Sequence, residues 1–98
     1  PIEVEAAGLN DADLINEIKL YPNPTNNDFT IAIASAYALT DAVEIQLYDN
    51  VGRTIQTGTI SKNSTGKIKM SLGSCVSGTY FIKCFNNSFE KHFKVVKL

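Results

Sequence analysis

The chain has a single histidine, His92, and it lies among lysines in the stretch that runs to the last residue. A metal centre built from several histidines is therefore excluded. A Ser-His-Asp arrangement needs a histidine that is buried and oriented by its neighbours. Side chains alternate along a strand, and Phe93 and Val95 take the core-facing positions, so His92 points to solvent. The sequence thus predicts no catalytic residue, no metal site and no cofactor.

Two cysteines, Cys75 and Cys84, are too few for a disulfide framework. If residues 79–84 form one extended strand, Cys84 lies roughly 15–20 Å beyond its start. A disulfide needs Cα atoms within about 7 Å of each other. We therefore expect both cysteines to be unpaired and to act as small apolar side chains.

Oxygen-bearing side chains cluster in the Asn-rich residues 23–28 and recur at Asp41 and Asp49, and such oxygens can bind Ca²⁺. Their spacing does not approach that of a recognised calcium loop. Asn and Asp hydrogen-bond to their own backbone and tolerate left-handed conformations, so we interpret these residues as turn formers.

Two aromatic residues could form a contact surface. Phe81 and Phe85 alternate with the apolar positions Tyr80, Ile82 and Cys84, so they face outward if those three face the core. They would then either stack against a ligand such as a sugar or be half-covered by a neighbouring strand.

Charge is distributed unevenly. Residues 61–98 contain seven lysines and one acid, Glu90, which gives this part a positive field able to steer an acidic partner. The same lysines could instead be solvated residues that guard strand edges. A net charge of −1 and the lack of a helical reader motif disfavour nucleic acid as a partner.

Alternating apolar residues predict the elements that position these side chains, and turn-forming residues separate them. Seven short strands without a convincing helix are typical of an all-β, immunoglobulin-like antiparallel β-sandwich. Residues 53–60 form the least regular strand because Gly58 interrupts them. The Ala-rich residues 34–42 could be helical, but they are too few to persist without tertiary support.

Length and composition favour one domain. The chain has 98 residues, 44% of them apolar, enough for one core but with little room for a deep pocket. No stretch approaches the roughly 20 apolar residues that a spanning helix needs. Residues 1–14 are acidic and lack alternation, which predicts a linker followed by a sandwich over residues 15–98. Because the chain opens at Pro1 without a basic and apolar leader, we expect it to be cut from a longer precursor.

Four segments occur in a familiar order: residues 20–26 (LYPNPTN), residues 43–53 (VEIQLYDNVGR), Leu72 with residues 77–83 (SGTYFIK), and residues 94–98 (KVVKL). In order and spacing they resemble the type A C-terminal sorting domain of the type IX (Por) secretion system. The resemblance covers about 80 of the 98 residues.

Each segment also has a physical role of its own. Pro22 and Pro24 remove two backbone donors, so residues 21–26 must lie at an edge or in a loop. Gly52 can supply the positive φ of a tight hairpin, and Gly78 lets the chain turn sharply into the next strand. Arg53 could brace nearby carboxylates or simply be exposed. Recognition by the secretion machinery is assigned to these segments, with ten candidate residues: Pro22, Asn23, Pro24, Gly52, Arg53, Gly78, Tyr80, Lys94, Val95 and Lys97.

The resemblance implies a cleavable export tag rather than an enzyme. The cargo would be joined upstream and cross the inner membrane by its own signal, and the folded tail would dock on the outer-membrane translocon. A sortase-like peptidase would then remove the tail and commonly attach the cargo to surface lipopolysaccharide. The domain would pass through the periplasm to the outer-membrane surface or the extracellular space. The expected cleavage region lies in the acidic leader, at Ala6, Ala7, Gly8, Leu9, Asn10, Asp11, Ala12 and Asp13.

The chain departs from the family pattern at two places. Asn27 and Asp28 stand where Gly is common, and Cys75 and Val76 replace a more usual aliphatic residue and proline. A second interpretation also remains: an Ig-like adhesive or carbohydrate- or protein-binding module that uses Phe81, Phe85 or the turns. Fold alone does not decide between the two, because sandwiches host many functions.

Overall fold

The structure, a computed structural model, describes residues 18–34, 39, 41–62 and 64–98. These residues form strands and no helix, so the predicted all-β class and the predicted number of strands are confirmed. The seven strands are β1 (Ile18–Tyr21), β2 (Asp28–Ile33), β3 (Val43–Tyr48), β4 (Thr54–Ile60), β5 (Lys67–Ser71), β6 (Gly78–Phe85) and β7 (Glu90–Lys97).

The strands form two antiparallel sheets. One has three strands in the order β1-β2-β5, and the other has four in the order β4-β3-β6-β7. Register follows the apolar alternation, for example where Leu20 pairs with Ile31 and Leu47 with Ile82. Each sheet therefore presents one apolar face to the other, and the predicted antiparallel sandwich is confirmed.

The core lies between the sheets and contains the side chains that alternation placed inward. Its fully buried members are Phe29, Ile31, Ile33, Val43, Ile45, Leu47, Ile60, Met70, Leu72, Ile82 and Val95. The free cysteines behave as expected, since Cys84 is buried in this cluster and Cys75 is half-buried beside it. Burial raises the pKa of the Cys84 thiol to about 12, so this group is a packed apolar side chain at neutral pH.

Strand β4 is irregular, but at a different place from the one expected. The strand continues through Gly58, where a Cβ would meet the flexible end of the Ile68 side chain. The register shift instead lies near Ile55, because Leu47 pairs with Gln56 while Tyr48 pairs with Thr54. A bulge of this kind adds one residue to one strand and changes the direction of its side chains.

Some sequence-based predictions lie outside the described residues. They are the linker over residues 1–14, the candidate cleavage region over residues 6–13, and most of the Ala-rich residues 34–42. Over the part of the chain that is described, there is no helix long and apolar enough to cross a membrane.

Strand direction brings three loops and the end of β7 to one end of the sandwich. This "loop end" comprises residues 22–27, the β3–β4 turn (residues 49–53), the β5–β6 loop (residues 72–77) and residues 96–98. Strand β1 begins at Ile18, paired with Ile33, at the opposite end.

Candidate functional site

The loop between β1 and β2 covers one end of the β7 edge of the four-stranded sheet. The Asn23 side chain donates through Nδ2 to the carbonyl of Lys94 at 2.8 Å and accepts the N–H of Val96 on Oδ1 at 3.0 Å. An amide side chain thus takes the place of a strand at the edge of β7. Pro22 and Pro24 flank it without donors of their own, and the prediction that they lie beyond the ladder is confirmed.

Thr25 continues this contact through its backbone. Its N–H donates to the carbonyl of Val96 at 2.8 Å, and its carbonyl accepts the N–H of Leu98 at 2.9 Å. The Thr25 hydroxyl donates to the carbonyl of Asp28 at 2.5 Å, and the residue is buried. Residues 23–25 therefore hold the last strand in place, and the first and last family-like segments form one structural unit.

The β3–β4 turn is organised by one carboxylate. Asp49 Oδ1 accepts the N–H groups of Val51 and Arg53, both at 3.0 Å, and Oδ2 accepts Arg53 Nε at 2.8 Å. Gly52 has a φ of 90°, as the tight turn requires. Desolvation raises the pKa of Asp49, but the hydrogen bonds from Arg53 and Val51 outweigh it and leave that pKa below its usual value. The Arg53 side chain braces the turn while remaining 81% exposed.

The β5–β6 loop is held by a buried tyrosine. The Tyr80 hydroxyl donates to the carbonyl of Val76 at 2.5 Å, and Gly78 between them has a φ of 152°. Burial raises the pKa of Tyr80, so the hydroxyl remains a neutral donor. At its start the loop contacts the residue that follows the first segment, because the Leu72 N–H donates to the Asn27 carbonyl at 2.8 Å.

An open cleft of about 330 Å³ separates the turn from this loop. Ile55 and Val76 supply apolar walls, and Asp49, Arg53 and Tyr80 supply the polar ones. The cleft is therefore lined largely by residues of the second and third family-like segments.

The loop end also carries the exposed apolar surface. Val76 is 79% exposed and Val51 is 72% exposed. Among the described residues, all the large exposed apolar side chains belong to or adjoin this end: Tyr21, Val51, Ile55, Val76 and Leu98. Exposed apolar side chains at one end of a small domain make that end the candidate interaction surface.

Comparison with protein families decides what kind of domain this is. The family model described as "Secretion system C-terminal sorting domain" matches residues 19–97, nearly the whole described fold. The chain belongs to this family. No curated protein matches the chain. The resemblance carried by the four segments is thus confirmed, and the family is one of sorting signals rather than of enzymes.

The candidate recognition residues of the sorting domain separate into two groups. Pro22, Asn23, Gly52 and Arg53 are exposed, as are Pro24 and Gly78. Tyr80 is 5% exposed and Val95 is fully buried. These two side chains can affect recognition only by holding the loop and β7 in place, not by touching a receptor.

The lysines of the sorting domain do not form one patch. Lys94 is exposed on the outer face of the four-stranded sheet, whereas Lys97 is half-buried on the other face of β7. On the other sheet, Lys69 Nζ lies 3.2 Å from Asp28 Oδ2 in an ion pair. On the four-stranded sheet, Lys83 Nζ lies 3.7 Å from Glu90 Oε1. The positive charge of residues 61–98 is therefore spread over both sheets.

The outer aromatic residues face outward as predicted, but they are packed. Phe81 stacks on Tyr48 with ring centroids 6.2 Å apart, and Lys83 Nζ lies 4.6 Å from the centre of the Phe85 ring. Both phenylalanines are half-buried. Because these rings already contact protein groups, the surface gives less support to a sugar-stacking module than to the sorting function.

His92 is exposed on the same face, as predicted. Its Nε2 lies 2.7 Å from Glu90 Oε2, and its Nδ1 lies 3.4 Å from the Tyr48 hydroxyl. The hydrogen bond from His92, with help from Lys83, lowers the pKa of Glu90. Within the described ranges no three His, Cys, Asp or Glu side chains are grouped as metal ligands would be.

Sequence reasoning identified Asp49 as a turn former, and its carboxylate does accept the backbone N–H groups two and four residues ahead. It missed Thr25. Thr25 gave no such signal, because its partners Val96 and Leu98 are more than 70 residues away in the sequence.

Proposed function

We propose that this sorting domain is a folded, cleavable export tag whose loop end docks on the outer-membrane translocon of the type IX secretion system. The observation that carries the proposal is the meeting of all four family-like segments at the end that also bears the exposed apolar side chains. Residues that are far apart in the sequence thus lie on one surface.

Within the loop end, two kinds of residue have different tasks. Asn23, Asp49 and Tyr80 shape the surface through the hydrogen bonds described above. Val51 and Val76 supply exposed apolar contact area, which is what a complementary receptor surface would bury. The exposed Arg53 guanidinium beside them offers donors for orientation.

The cargo and the peptidase would act at the other end. A peptidase needs an extended, accessible backbone, and pairing within a strand denies that access. From Ile18 onward the backbone is paired with β2. We therefore place the sortase cut upstream of Ile18, within residues 6–13, so that the tag is released as an intact fold after passage through the periplasm to the cell surface.

The test is a fusion of the full chain to a reporter with an export signal, expressed in a bacterium with a working type IX system. The double variant Val51→Asp with Val76→Asp places charge on the apolar loop end. We expect that fusion to fold but remain in the periplasm. The matched control, Thr65→Asp with Ser88→Asp, adds the same charge at exposed positions of the opposite end and should be exported normally.

Two results would contradict the proposal. If the unmodified fusion stays in the periplasm of a host that exports its own cargo, the chain is not a sorting signal. If the two double variants are exported equally, the loop end is not the docking surface. Mass spectrometry of released tails tests the cut separately, and tails beginning after Tyr21 would place it inside the fold.

A further inference from the structure

Three of the four sheet edges are protected in ways known from natural β-proteins. Strand β1 has four residues and runs into Pro22 and Pro24. Strand β5 carries two exposed lysines, Lys67 and Lys69. Strand β7 has charged residues along its length and is covered at one end by residues 23–25. Short strands, lysines, prolines and covering segments all discourage pairing with another chain.

Strand β4 has no lysine, no proline and a length of seven residues, and its one irregularity is the bulge at Ile55 near its start. Its seven residues, Thr54–Ile60, include no charged residue and no proline. Within the described chain, β3 is its only ladder partner, so the other edge of β4 presents unpaired backbone groups. Thr57 and Thr59 are exposed, as is Gln56. An uncharged edge rich in β-branched residues is a template for strand addition.

The sequence of β4 is compatible with a second copy of itself. In an antiparallel pair centred on Thr57, that residue faces its own copy and Gln56 faces Gly58. Ile55 then faces Thr59, and Thr54 faces Ile60. The bulge at Ile55 leaves the regular part of the pair at residues 56–58. No like charges meet, and most pairs contain a β-branched side chain, which favours cross-strand packing.

We propose that β4 is a self-association edge, at which two copies of this chain pair antiparallel around a two-fold axis at Thr57. Two four-stranded sheets would then form one continuous sheet of eight strands. A single pair of strands buries less than the roughly 1,200–2,000 Å² of a stable complex, so the dimer is weak and dissociates on dilution. This inference does not rest on the export function, and Ile55, which faces Thr59 in the pair, is the one residue of β4 that also lines the cleft.

The test measures the mass of the full chain by analytical ultracentrifugation from micromolar to about millimolar concentration, where even weak complexes form. We expect a concentration-dependent dimer, with the amide resonances of residues 54–60 shifting as it forms. Thr57→Lys places two lysines opposite each other and should weaken the dimer by roughly fivefold or more. Thr57→Glu should do the same, and an equimolar mixture of the two variants should restore dimers.

Thr65→Lys is the matched control, since it adds the same charge at an exposed position away from β4. A thermal melt of each variant establishes that it is folded. A chain that stays monomeric up to millimolar concentration overturns the proposal, even if the same edge later proves to bind another protein. A dimer that survives Thr57→Lys, or a mixture that fails to recover it, also overturns it, because the contact would then lie elsewhere or in another register.

Discussion

The two edges of the four-stranded sheet differ in their hydrogen bonding. At β7, Asn23 and Thr25 supply hydrogen-bond partners to Lys94, Val96 and Leu98, so the chain closes this edge with its own residues. At β4, the residues that the structure describes leave the edge open, with exposed threonines and no charged residue in the strand. One edge is therefore part of what stabilises the fold, and the other is free to contribute to contacts between molecules.

Of the two edge strands, β7 at the closed edge should be the more sensitive to substitution. Val95 is fully buried, whereas Ile55 at the start of β4 is partly exposed. Val95→Ala should lower the free energy of unfolding by about 2 kcal/mol or more, since truncation leaves a cavity. Ile55→Ala should cost less than half as much. Urea denaturation of both variants measures the difference, and equal losses would mean that β4 is as integral to the core as β7.

A smaller effect is expected from the side chain that closes the β7 edge. Asn23→Ala removes both the donor to Lys94 and the acceptor for Val96. We expect a loss of about 1–2 kcal/mol, with faster amide exchange at Val96. Gln56→Ala on the open edge should change stability by less than about 0.5 kcal/mol. If the two variants unfold alike, residues 23–25 only lie against β7 without stabilising it.

Lowering the pH should destabilise the β3–β4 turn, which leads into β4. Donors from Arg53 and Val51 offset desolvation and lower the pKa of Asp49 in the fold. Its contribution to stability is thus present above the unfolded-state pKa of about 4 and is lost as pH falls through the lower folded-state value.

Asp49→Asn should accordingly be less stable than the parent at pH 7 and should lose less stability between pH 5 and pH 2. The urea midpoints of the parent and of Asp49→Asn, measured from pH 5 to pH 2, give the two stability curves. Asp41→Asn, at the opposite end, is the control and should follow the parent curve. A parent-like curve for Asp49→Asn would show that the carboxylate does not organise the turn.

The smallest effect on stability is expected from the lysines of β7. Lys94→Glu should leave the thermal midpoint within a few degrees, because exposed charges usually change stability by less than about 0.5 kcal/mol. Lys97→Glu should cost slightly more, since that side chain is half-buried. If long-range attraction assists docking, both changes reduce export of the reporter fusion without unfolding it. Export at the parental rate would identify these lysines as merely solvated.

Much of the fold was predictable because period-two alternation and turn residues are local signals. They gave the seven strands, the outward position of His92 and the positive φ of Gly52. Alternation also implies that Lys94 and Lys97, three residues apart in one strand, lie on opposite faces of the sheet. The sequence-based prediction nevertheless placed both among the recognition residues.

The rest depends on tertiary contacts that no local pattern encodes. Nothing near Asn23 in the sequence shows that its amide reaches Lys94 and Val96. Likewise, the exposure of Val51 and Val76 follows from which loops meet at one end, and that is decided by strand order. Family resemblance identified the segments, but only the fold shows that they share a surface.

The position of Ile18 has a mechanical consequence. The strands run between the loop end and the opposite end, where β1 begins at Ile18. If the loop end is held and a protein joined upstream of Ile18 resists movement, the tension runs along the strands. The four residue pairs between β1 and β2 are then loaded in shear and must yield together, whereas tension across the strands would open them one at a time. We therefore expect the domain to resist traction between its two ends better than its modest size suggests.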